Sequence, residues 1–186
     1  RNGAALPGAT AAVYSKTFDP TNDVGTYTVT VTGPCGSTTS AAATVTNSTT
    51  TVWQGPVDGI SGIAGTAWEL ASNWTCGVPT RTIDVVIPTD IIDGYPVIRS
   101  SVSGEVRNLT INSGGFGAFL TVQGRLQVFG EVVNRGGVFD ASAGTIEFAA
   151  NTDQVIAAGL FSNNTVKDLV ISTNVSLEGA LNLTGA

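Results

Sequence analysis

VRNLTI, from Val106 to Ile111, returns sixty residues later as VKDLVI, from Val166 to Ile171. A longer pair echoes it: LTVQGRLQVFG, Leu120 to Gly130, resembles VSLEGALNLTG, Val175 to Gly185, with apolar residues and glycines at matching places. Short alternating segments that recur between Gly, Asn and Ser turns describe a stack of similar strands rather than one closed core. In and around these echoes run Leu109 and Ile111, Leu120 and Val122, Leu126 and Val128, and Ile146 and Phe148, each pair two apart within a segment. That alternation turns one row inward and the next outward. A right-handed parallel β-helix over residues 89–186 satisfies the pattern. A second antiparallel β-sandwich is the alternative, since a period of two does not reveal strand direction. The sixty-residue echo favours stacked coils of roughly twenty residues each.

Composition points the same way. Only 12% of the 186 residues are charged, Gly numbers 23, and Met and His are both absent. Thr, Ser and Asn fill the polar positions, as expected of an extracellular β protein. A formal charge of -6, with eight Lys and Arg placed singly, cannot build a stripe that tracks phosphates, so no nucleic-acid partner is expected. No run of about 18 apolar residues appears, so no transmembrane helix is expected. The chain begins RNGAALPG and stops LNLTGA in mid-pattern, which reads as a window on a longer protein or a subunit completed by its neighbours.

Upstream, YTVTVTG from Tyr27, the PCGS turn and TTSAAATVT from Thr38 make a β-hairpin. Thr28, Thr30 and Thr32 share one of its faces, an ordinary surface for half-exposed strands. DVGTY, Asp23 to Tyr27, has the spacing of a tyrosine corner, in which the hydroxyl bonds back to upstream backbone. Residues 1–46 thereby resemble the C-terminal strands of a bacterial immunoglobulin-like or polycystic-kidney-disease-like repeat. The resemblance implies about seven strands for a whole sandwich. Four or five at most are present, so the others would come from upstream or from another chain. Residues 47–51, NSTTT, read as a linker.

Residues 52–88 hold all three tryptophans, Trp53, Trp68 and Trp74. Large apolar plates at the mouth of a repeat array can close its end, so the segment reads as a cap. The tryptophans followed by GVP and DVVIP resemble a segment of large secreted multi-repeat surface proteins of gliding Bacteroidota, adhesin-like and of the type IX secretion kind. There it introduces strand repeats and often follows immunoglobulin-like modules. The resemblance implies export to an extracellular, cell-surface location and a structural or adhesive role in a long surface protein or filament, with neighbouring repeats, identical subunits or surface glycans as partners. A carbohydrate-binding module of a secreted polysaccharide-active protein is the competing expectation, with Trp53, Trp68 and Trp74 as sugar contacts.

Catalytic chemistry is poorly provided for. Without histidine the usual general base and commonest metal ligand are missing, and no enzyme is expected. Asp84, Asp90 and Asp93 form the densest acidic group, the candidate for paired-carboxylate chemistry, although aspartates beside turns are commonplace. Asp19 and Asp23, in DPTND, are weak calcium candidates without the ligand spacing of a known loop; no other cofactor is expected. Cys35 and Cys76 are disulfide candidates if the chain is exported. The hairpin turn at Cys35 lies a strand of about 26 Å from the cap, so their partners are expected outside the chain. In the immunoglobulin-like resemblance Cys35 would meet a cysteine on the first strand, which is missing here. Sequons at Asn47, Asn73, Asn108, Asn163, Asn174 and Asn182 reflect composition more than glycosylation.

Overall fold

The computed structural model describes all residues except 20, 57–64, 116 and 186. Two units divide the chain, Arg1–Ser48 and Thr49–Ala186.

The first unit is a single antiparallel ribbon. Strand β1 (Gly25–Tyr27), β2 (Thr30–Gly33), β3 (Gly36–Thr39) and β4 (Ala43–Val45) fold back on one another around Pro34 and Cys35. Gly25 stands opposite Val45 and Tyr27 opposite Ala43, whereas Thr30 stands opposite Thr39, so the register slips by one residue between the two halves. Ser40 bridges the slip: its N–H donates to the Val29 carbonyl and its Oγ accepts the Val29 N–H. Asp23 is the one fully buried residue described in this unit, and Val29 and Val31 lie open. Within this unit no strand beyond these four is described, so what is present of a sandwich is one hairpin.

The second unit climbs in coils. It opens with β5 (Thr50–Val52), so Thr50 and Thr51 belong to the first rung rather than to the linker. The first coil then carries β6 (Asp84–Ile87), β7 (Val97–Ile98) and β8 (Ser103–Val106). The second repeats them as β9 (Leu109–Ile111), β10 (Phe119–Val122) and β11 (Arg125–Val128). In the third, β12 (Val132–Asn134) is followed by one long strand, β13 (Val138–Phe148), whose register shift between Ala141 and Thr145 takes it around a corner. The fourth has β14 (Gln154–Ile156) and β15 (Thr165–Ile171), and β16 (Val175–Leu177) with β17 (Asn182–Leu183) begins the next. All these strand pairs are parallel. The unit is a β-solenoid of about four turns, and the antiparallel sandwich is ruled out by strand direction.

Three walls result. One stacks β5, β6, β9 and β12 and resumes with β14 and β16; the second stacks β7, β10, the first half of β13, the start of β15 and β17; the third stacks β8, β11, the far half of β13 and the far half of β15. Each wall turns every second residue inward, which gives the buried–open alternation of RLQV in β11 and LTI in β9. Leu109, Ile111, Leu120, Leu126 and Ile146 are completely buried in one continuous core. Corners require close approach: a Cβ on Gly124 would stand 2.1 Å from the Arg99 carbonyl oxygen and 2.2 Å from that of Val102.

The sixty-residue echo is out of step with these coils. Val106 stacks on Val128, Val128 on Phe148 and Phe148 on Ile171, so its equivalent three levels on is Ile171 and not Val166. Val166 instead stands on Ala141 in another wall, and Leu120 and Val175 likewise occupy different walls. The echo arises because every wall-and-corner unit has the same local recipe, an alternating strand ended by glycine or a polar turn. It reports the coil's parts rather than its period.

Candidate functional site

The two ends of the solenoid are the parts whose chemistry departs from simple stacking. At the first end the outer edge of β5 is covered by residues 73–76 running antiparallel to it. Gln54 N–H donates to the Asn73 carbonyl at 3.0 Å, Thr75 N–H to the Val52 carbonyl at 3.0 Å, and Cys76 N–H to Thr51 Oγ1 at 3.1 Å. An edge blocked by an antiparallel segment cannot go on adding parallel coils. On the adjoining wall Thr66–Trp68 lies beneath β7, with Trp68 N–H on the Val97 carbonyl and Val97 N–H on the Thr66 carbonyl.

The three tryptophans fill the space behind this cover. Trp74 stands edge-on to Trp53, centroids 5.0 Å apart at 79°, and edge-on to Trp68, 4.8 Å apart at 72°. Trp74 Nε1 donates to the Trp68 carbonyl at 2.8 Å and Trp53 Nε1 to the Gly94 carbonyl at 2.9 Å. Asn73, buried with them, donates from Nδ2 to the carbonyls of Gly65 and Ala67. All three rings are at most 2% exposed. A sugar needs a ring face open to solvent, so the expected sugar contacts at Trp53, Trp68 and Trp74 are not offered; burial spends those faces on the core. Gly104 completes the packing, since a Cβ there would come within 3.0 Å of Trp68 Nε1. The cap expected over residues 52–88 is therefore interleaved with rungs: β5 and β6 already belong to a wall, and the solenoid starts before residue 89. Residues 57–64 of that stretch lie outside those described.

The opposite end has no such cover among the described residues. Ile171 stands on buried Phe148, Leu177 on buried Ile156 and Leu183 on buried Val166, one pair in each wall. Yet Ile171, Leu177 and Leu183 are themselves 52%, 54% and 56% exposed. They hold core positions, and no described residue forms a level above them.

Between the ends, polar ladders run over the outer surface. Asp84 receives Arg107 through Nε and Nη2, both at 2.6 Å, and Asn108 Nδ2 at 2.8 Å. The Arg107 hydrogen bond first, and its charge with it, holds the Asp84 carboxyl below its usual range against the opposing pull of partial burial. Glu147 is more deeply set. Burial is the largest single influence and pushes its carboxyl up, but hydrogen bonds from Arg125, Gln127 and Ser172 together outweigh it and leave the group lowered. Asp84 is thus committed to a fork with arginine across one coil step, which is the geometry of a wall tie. Asp90 adopts a left-handed backbone at φ 64° and accepts from Thr89 Oγ1, as a turn residue does.

The remaining sequence candidates are local. Tyr27 Oη donates to the Asp23 carbonyl at 2.8 Å, the corner contact. The Asp23 carboxylate receives Lys16 Nζ at 2.6 Å and the Asp19 N–H at 2.7 Å, while Asp19 accepts the N–H groups of Thr21 and Asn22. A lysine ammonium on the Asp23 oxygens opposes the suggested calcium role of Asp19 and Asp23 by charge and by occupancy. Cys35 and Cys76 are exposed free thiols. Asn73 and Asn108, among the sequons, have their amides bound internally. Sequence reasoning missed Gln154, buried between two coils, because nothing local marks a glutamine as inward-facing.

No helix among the described residues is long and apolar enough to cross a membrane. The class defined by fold and ends is a parallel β-solenoid closed by tryptophans on one side. Compared with known protein families, curated proteins and solved structures, the chain matches none.

Proposed function

We propose that this chain is a structural module of a long, adhesive cell-surface protein or filament of bacterial, Bacteroidota-like type, working outside the cell. The observation that carries the reading is the uncovered apolar level at Ile171, Leu177 and Leu183, each seated in register on a buried residue. A solenoid needs its terminal level covered, and the cover that matches in register is a further level of the same kind, from a neighbouring repeat or an identical subunit. Rigidity from stacked walls, low charge and closed aromatic packing suit a shaft or spacer that holds a binding tip away from a surface. The reading assigns no reaction to the module.

The test is the denatured mass of the protein recovered from its native source, by reducing gel and mass spectrometry. A species far above the 18.9 kDa of these residues fits a multi-repeat surface protein. A species of that mass that sediments as a monomer and leaves hydrophobic dyes unbound would overturn the proposal.

A further inference from the structure

The corner between the second and third walls is uneven from coil to coil. Between the paired residues Ile98–Val122 and Ser103–Arg125, the first coil has four residues, 99–102, where the second has two, 123–124. Between Thr121–Asp140 and Arg125–Thr145, the second coil has three, 122–124, where the third has four, 141–144. Between Ala141–Val166 and Thr145–Asp168, the third has three, 142–144, where the fourth has Lys167 alone. Strand registers on both sides are fixed, so surplus residues loop outward, as a bulge does. The corners of the first and third coils therefore project, and that of the second is recessed between them.

The recess is a groove of about 480 Å³, within the range of small-ligand sites. Gly124 lies buried in it with no room for a Cβ, so no side chain from the short corner can fill it. Ser100, Ser101 and Ser103 from the first coil and Thr145 from the third bring hydroxyls to its lining, and Gln123 an amide. None of these five side chains makes a hydrogen bond among the described residues. Two cations complete the polar lining, Arg125 and Lys167, and no carboxylate joins them. Arg125 donates Nε and Nη2 to Glu147, which leaves Nη1 unengaged among the described residues. Lys167 Nζ stands 3.2 Å from Asp168 in an open ion pair, an attachment that solvent screens and a ligand can replace.

We infer that this groove is a binding site for a sugar acid, a short uronate-bearing stretch of a glycan. Hydroxyls and the amide each donate and accept, which suits the hydroxyl-rich body of a sugar. The free edge of the Arg125 guanidinium and the Lys167 ammonium take its carboxylate through charge-assisted hydrogen bonds. The site gives the solenoid a ligand of its own, beyond the part of a shaft, and stands whether or not the open coil end is covered.

Amide-resolved NMR titration of the whole chain with digalacturonate, its neutral counterpart galactobiose and inorganic sulfate tests it. Digalacturonate is expected to shift the amides of Ser101, Ser103 and Gly124, and to bind at least about tenfold tighter than galactobiose. Lys167→Gln should reduce that preference at least about threefold, on the scale of an exposed charge contact. Ala143→Phe, at an exposed residue of the lining, fills the recess and should abolish binding of digalacturonate while the melting temperature holds. Equal binding of the two sugars, the same amides moved as strongly by sulfate, unchanged binding in Ala143→Phe, or no shift at millimolar digalacturonate would each overturn the inference.

Discussion

The solenoid's two ends are built from the same strands and differ in what they do with the last apolar level. At the β5 end, a chain reversal lays residues 73–76 along the edge and sinks three indoles behind it, so that edge groups and ring faces are both consumed. At the β16–β17 end, no described residue covers the inward row, and Leu177 is half open above Ile156. Stacking supplies each level with one neighbour below; only a cap or a further level supplies the one above. The lesson is that burial in a solenoid is a property of position in the stack rather than of the residue.

The largest effect that would sharpen this contrast is removal of a cap ring. Trp74→Ala takes away two edge-on contacts and the hydrogen bond to Trp68, and should cost about 3–5 kcal/mol in urea unfolding, as large aromatic truncations in cores do. Phe148→Ala should fall in the same range, whereas Ile171→Ala, one level higher in the same column, should cost under about 1 kcal/mol. Equal losses at Phe148 and Ile171 would break the comparison.

Glu147→Gln should cost about 1.5 kcal/mol, the scale of a hydrogen bond to a charged group, because Arg125, Gln127 and Ser172 all converge on the carboxylate. Its folded pKa lies below the unfolded value. Its contribution is therefore complete above the ordinary glutamate pKa of about 4.3, and is lost as pH falls through the lower folded value. Acid titration of wild type against the variant should show the two stability curves converging in that acidic window. Asp84→Asn, at a more open pair, should cost at most about 1 kcal/mol, with the same acid-side sign. Smallest in stability, yet visible in solution, is Ile171→Ser: unfolding should scarcely move while binding of a hydrophobic dye at the open end declines.

Much of this was legible beforehand and some was not, for identifiable reasons. Alternation in RLQV and LTI announces strands with one inward row, because burial imposes the period. Trp53, Trp68 and Trp74 announce a closed end, because only a core pays the desolvation of three indoles within so short a stretch. Strand direction is silent in a period of two, and the echo of Val106–Ile111 in Val166–Ile171 points to stacking for the wrong alignment, since three walls share one local recipe. The Arg125–Glu147 and Arg107–Asp84 ties become readable only once the coil step of a little over about twenty residues is known. Gln154 was invisible, as a glutamine is ordinarily a surface residue and only its three internal hydrogen bonds make burial tolerable. In the hairpin, DVGTY foretold the Tyr27–Asp23 contact because that spacing sets the reach of the hydroxyl.

Native-state hydrogen exchange resolved along the chain tests the central claim most directly. The asymmetric ends predict that amides of β6, β9 and β11 exchange only on global unfolding, while those of β16 and β17 exchange through far cheaper local opening. Protection of β16 and β17 equal to that of β11, in the isolated monomeric chain, would contradict an open end.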